Sequence, residues 1–203
     1  MKKILIAVGL FSAIIFAACN SGNNQTDKTA DKIADTSQST IPETSNDSGQ
    51  ANTMQANSRG SIKEIVIGYL QIKNALANDD GKEAANGGKA MVDAMQKFNK
   101  SSLSPEQQKA YDDMASAMRE NAEHIGENAD KIAHQREHFD MLSQDMADMV
   151  KTFNAGETLY KDYCPMYNNG KGAVWISETK EIKNPYLGKK MSTCGEVKEE
   201  IKQ

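Results

Sequence analysis

The chain lacks a basic excess, a long apolar run and any familiar catalytic motif, and each absence removes a class of function. Its formal charge is -4 over 203 residues, and a mildly acidic body with interspersed charges argues against nucleic acid as the target. The longest apolar stretch, residues 4–18, falls short of the roughly 20 residues that a membrane-spanning helix needs. There is no nucleophile-elbow motif, no zinc-protease His-Glu pair and no phosphate-cradling glycine loop, so the chain is not expected to be an enzyme. Glu178, Glu181 and Glu196 stand near two cysteines, but carboxylates in a polar loop are ordinarily solvated. Between residues 20 and 59 there is no aromatic residue at all, and such a stretch cannot bury enough surface to offset its ordering entropy.

What is present begins with an address label. Lys2 and Lys3 precede the apolar run, and Phe16-Ala17-Ala18-Cys19 closes it. Small residues before a cleavage point followed directly by cysteine make the lipobox pattern of bacterial lipoproteins, with Phe16 where Leu is more usual. Residues 1–18 are therefore expected to be a signal peptide and Cys19 the lipidated N-terminus. Residues 19–59 then form a disordered tether, whose coil dimensions of roughly 35 Å hold a domain clear of a lipid surface. Loss of Lys2 and Lys3 takes the charge from -4 to -6, so membrane association rests on lipid and not on a basic patch. The location implied is the cell envelope, anchored to a membrane and facing the periplasm.

Residues 60–203 have the size of one domain. Apolar residues at helical spacing predict helices over 61–78, 82–99, 104–126 and 130–153. Ser61 with Glu64 reads as a capping box for the first, and Ser104-Pro105-Glu106-Gln107 is the clearest helix start in the chain. Four amphipathic helices with short links predict an all-α fold, an antiparallel four-helix bundle. From Leu159 the helical period disappears. Tyr160, Tyr163, Cys164, Met166, Tyr167, Trp175, Tyr186, Met191 and Cys194 stand among glycines and prolines, which predicts an irregular Cys/Met/aromatic segment packed on the bundle.

Two readings of this segment remain open. With Cys19 lipidated, Cys164 and Cys194 are an even pair in an exported protein, for which a disulfide is the default. Cys164-Pro165-Met166 and Met191-Ser192-Thr193-Cys194 also each set a cysteine beside a methionine. Thiolate with thioether is the soft donor set that selects copper(I). The three histidines are His124, His134 and His138; the last two are spaced i, i+4 on one helix face, and His138 is the better candidate ligand because Phe139 beside it faces the core. The helical methionines, Met91, Met95, Met114, Met118, Met141, Met146 and Met149, read as core filler.

The stretches Tyr160-Lys161-Asp162-Tyr163-Cys164-Pro165-Met166, Gly172-Ala173-Val174-Trp175-Ile176-Ser177 and residues 182–195 resemble the signature of an uncharacterised bacterial domain family. The likeness extends to Gln135-Arg136-Glu137-His138-Phe139 and Leu142-Ser143, and more loosely to Tyr69 and Ala75-Leu76. That family carries no assigned activity; its members occur as lipoproteins and as C-terminal domains on periplasmic adaptor subunits of copper and silver efflux pumps. Tyr167 and Ser192 depart from the commonest pattern without touching a candidate ligand. The resemblance implies a metal role, with Cys164, Met166, Met191, Cys194 and His138 as ligands, copper(I) as the ion and an efflux adaptor as partner. The function expected is thus a lipoprotein that sequesters soft metal or delivers it to efflux. The alternative is an envelope interaction module in which Cys164 and Cys194 form a structural disulfide.

Overall fold

The computed structural model describes residues 61–203; the expected signal peptide, the lipidation site Cys19 and the tether lie outside the described residues. Four long helices come first: α1 (Lys63–Ala77), α2 (Gly81–Lys97), α3 (Pro105–Glu127) and α4 (Ile132–Thr152). Three strands follow, β1 (Leu159–Cys164), β2 (Ala173–Ser177) and β3 (Glu196–Ile201), with a short helical turn α5 (Tyr167–Gly170) between the first two. They form one antiparallel sheet in the order β2-β1-β3.

The expectation of an all-α bundle is corrected by this sheet. The helices form where their apolar period places them, but the C-terminal segment carries three paired strands joined by irregular loops. Its alternation is masked for physical reasons. A register shift between Lys161 and Asp162 breaks the period of two along β1. In β3 every residue except Ile201 is solvent-facing or charged, as suits an exposed edge. Only β2, with Val174, Trp175 and Ile176, has the β-branched and aromatic make-up of a buried strand.

Local signals decide the helix starts. Ser104 and Gln107 close the expected capping box of α3. The box expected at Ser61 and Glu64 does not form, because Ile62 occupies the cap position of α1 and is buried. Asp80 caps α2 instead, accepting from the Glu83 N–H.

Consecutive helices pack side by side, and the sheet lies mainly on α4 and also touches α1. The α1–α2 contact depends on glycine: a Cβ on Gly68 would stand 2.7 Å from Met91 Cα, and one on Gly87 2.7 Å from Ile72 N. Tyr69, Phe139, Trp175, Met91, Met118, Ile125 and Leu142 form the fully buried centre. Tyr69 joins three elements there. Its hydroxyl lies 2.8 Å from Ser143 Oγ on α4 and accepts from the Ile176 N–H of β2 at 3.0 Å, which satisfies a polar group on the sheet's edge strand.

The loop between β2 and β3 is held by polar side chains. Buried Asn184 accepts from the Tyr186 and Leu187 N–H groups and donates to the Cys194 carbonyl. Arg136 of α4 donates to the carbonyls of Pro185 and Leu76 and pairs with Asp79 at 2.6 Å. The Asn-Pro-Tyr portion of the sequence signature is therefore a structural knot between α1, α4 and the sheet.

Candidate metal centre

Histidines on two neighbouring helices converge. The i, i+4 spacing puts His134 and His138 on one face of α4, and the α3–α4 hairpin brings His124 of α3 opposite them. The rings of His124 and His138 stack at 4.3 Å, and His134 stands nearly perpendicular to His138 at 4.5 Å. One ring nitrogen from each of the three lies within 4.8 Å of the others. All three residues are half-buried.

Neighbouring groups set which nitrogens are available. Asn121 of α3 donates its amide N–H to the Ala117 carbonyl, so its Oδ1 is left to face His138 Nδ1 at 2.9 Å. An amide oxygen only accepts. His138 therefore carries its proton on Nδ1 and presents the Nε2 lone pair, the arrangement that supports metal-ligating histidines. His134 Nδ1 lies 3.5 Å from the exposed Glu137 carboxylate, a looser contact than the one Asn121 makes. Burial, helped by the neighbouring His124 and His134 charges, lowers the His138 pKa below the usual histidine value. The neutral imidazole that a metal requires is the favoured form.

The sulfur candidates lie elsewhere in the fold. Cys164 ends β1 and is buried, Cys194 precedes β3 and is partly exposed, and their Sγ atoms stand 3.4 Å apart as free thiols. The shared S–H contact with Cys164 comes first among the causes that push the Cys194 pKa up. Met166 is 57% exposed at the start of α5, and Met191 is half-exposed at the end of a 3-10 turn, Gly188–Met191. The structure thus brings Cys164 and Cys194 together and sets His138 in a different cluster, with His124 and His134. Among the described residues, that trio is the only set of three or more His, Cys, Asp or Glu whose ligand atoms converge. His124 was legible in the sequence only as a third histidine, since no spacing rule connects it to α4.

A second polar cluster sits under the sheet. Lys73 is buried and pairs with Glu178 at 2.7 Å, while Asn74 donates to the same carboxylate. Glu178 is thus tied down and not merely solvated. Asp162 lies beside them, fully buried, and burial raises its pKa to about 7 against the downward pull of Lys73. Neither the Asp162 oxygens nor the Trp175 indole N–H has a protein hydrogen-bond partner.

Fold and site together define a helical domain, capped by a small sheet, that carries a three-imidazole cluster on its α3–α4 face. A family model described as "Protein of unknown function (DUF3347)" matches residues 65–158. The match spans just under half of the chain, from α1 through α4, and so contains all three histidines but neither Cys164 nor Cys194. The resemblance to an uncharacterised family is supported over that stretch. No curated protein and no solved structure matches the chain.

Proposed function

We propose that this chain is a metal-binding protein whose principal seat is His124, His134 and His138, carried on an exported lipoprotein anchored through Cys19. The observation that carries the reading is the convergence of one nitrogen from each imidazole within 4.8 Å. Three neutral nitrogen donors suit copper, zinc and nickel, and among the divalent ions copper(II) leads in affinity for such sites. Copper is the ion proposed; imidazole nitrogen accepts it in either oxidation state, while the copper(I) expected from the sequence is also the ion for which the sulfur set competes. Sequestration or delivery to an efflux adaptor is the role, and support for that role is the sequence resemblance alone.

The 3.4 Å approach of Cys164 and Cys194 favours a second reading for the sulfur set. While reduced, the pair offers two soft donors for copper(I), with Met166 and Met191 near in sequence; oxidised, it is the disulfide of an interaction module. Titration of the full chain with copper(I) against a chromophoric chelator separates the seats. One tight equivalent that survives Cys164→Ser and Cys194→Ser but weakens at least tenfold in His124→Ala, His134→Ala or His138→Ala supports the imidazole seat. The opposite pattern returns the site to sulfur, and no binding in either state leaves the interaction module.

A further inference from the structure

Resting on the three-imidazole reading, we infer that the seat is an exchange site: it holds its ion through three ligands and keeps a fourth position for a neutral nitrogen or sulfur donor from outside the chain. The ligand count comes first. Among the described residues no carboxylate or thiol joins the three histidines in the converging set, and three protein ligands on an ion that takes four, as copper(II) does, leave one position for water or an incoming donor. Structural sites, by contrast, close with four.

Access agrees with the count. The His134 side chain is 39% exposed, and Glu137 at its inner nitrogen is 70% exposed, so the ion would sit at the rim of the α3–α4 face and not within the core. Glu120 and Glu137 lie near enough to act on His138. Their charge attracts a cation and disfavours an anionic fourth ligand such as a thiolate, which leaves imidazole or thioether as the donor class.

The fold does not depend on the ion. α3 and α4 are already joined by Met118, Ile125, Phe139 and Leu142, all fully buried, and by Gln135, which donates to the carbonyls of Ile125 and Gly81. Where a metal is a structural staple, its binding free energy is folding free energy and the apo chain unfolds. Here the helix pair has its own core. An incoming donor displaces the coordinated water, and further donors on the same partner can then replace the imidazoles one by one with no change of oxidation state.

The test uses copper(II) and imidazole on the full chain. The loaded protein is expected to show a saturable shift of its visible copper band at imidazole concentrations that leave the copper on the protein through gel filtration. The chelator-treated chain is expected to unfold in one cooperative thermal transition. A band that stays fixed until copper is stripped, or an apo chain with no cooperative transition, overturns the exchange site. Failure of copper to load at all overturns the three-imidazole reading beneath it instead.

Discussion

The Nδ1 of His138 lies 2.9 Å from the Oδ1 of Asn121, whose amide N–H is committed to the Ala117 carbonyl. One buried side chain on α3 thereby fixes the tautomer of a histidine on α4. Replacing Asn121 by Leu keeps the bulk and removes the acceptor, and loss of such a supporting partner ordinarily weakens metal binding about 10- to 100-fold. The N121L chain is expected to retain its circular dichroism spectrum and lose affinity within that range. Unchanged affinity would show that Asn121 does not position the ligand.

Tyr69 supplies a prediction about the fold alone. Its hydroxyl serves both Ser143 and the Ile176 N–H, and Tyr69→Phe leaves both without it inside the core. The cost is about 1–3 kcal/mol, read from urea denaturation midpoints at constant slope. Metal affinity is expected to stay within twofold, since Tyr69 is not part of the histidine cluster.

Arg136 ties three chain segments through the Leu76 and Pro185 carbonyls and Asp79. Its hydrogen bonds hold the Asp79 carboxyl below the usual aspartate range. Arg136→Ala is expected to cost about 2–3 kcal/mol by removing charge-assisted bonds from partly buried acceptors. A change under about 0.5 kcal/mol in denaturant unfolding would mean that the loop is held by Asn184 and Tyr186 without it.

Asp162 gives a pH dependence with a definite sign. Its folded pKa, about 7, lies above the ordinary aspartate value of 3.8. Between pH 4 and 7 the folded state therefore binds more protons than the unfolded state, and this group's contribution to stability falls as pH rises through that window. Below pH 4 and above pH 7 its contribution is flat. Asp162→Asn mimics the protonated acid, so the stability difference between variant and wild type is expected to shift in favour of the variant by a few kcal/mol, in order of magnitude, from pH 4 to pH 8. A difference independent of pH would mean that Asp162 is ionised throughout.

These residues also show what was legible in the sequence. The helices announced themselves through apolar spacing and, at Ser104 and Gln107, through a capping box that forms as read. The sheet did not, because a bulge at Lys161 and Asp162 interrupts one strand and charge covers another. Helical spacing predicted that His134 and His138 share a face, but His124 enters the cluster only through the way α3 and α4 pack, a tertiary fact with no local signature. Cys164 and Cys194, 30 residues apart in the chain, stand with their Sγ atoms 3.4 Å apart. His138, read from the sequence beside them as a ligand, instead has His124 and His134 as its converging neighbours.

X-ray absorption of the copper(I)-loaded chain, reduced so that Cys164 and Cys194 are free, separates the imidazole seat from the sulfur seat. Binding by His124, His134 and His138 gives a first shell of nitrogen with the outer scattering of three imidazoles. A shell dominated by sulfur would contradict it and place the ion between Cys164 and Cys194.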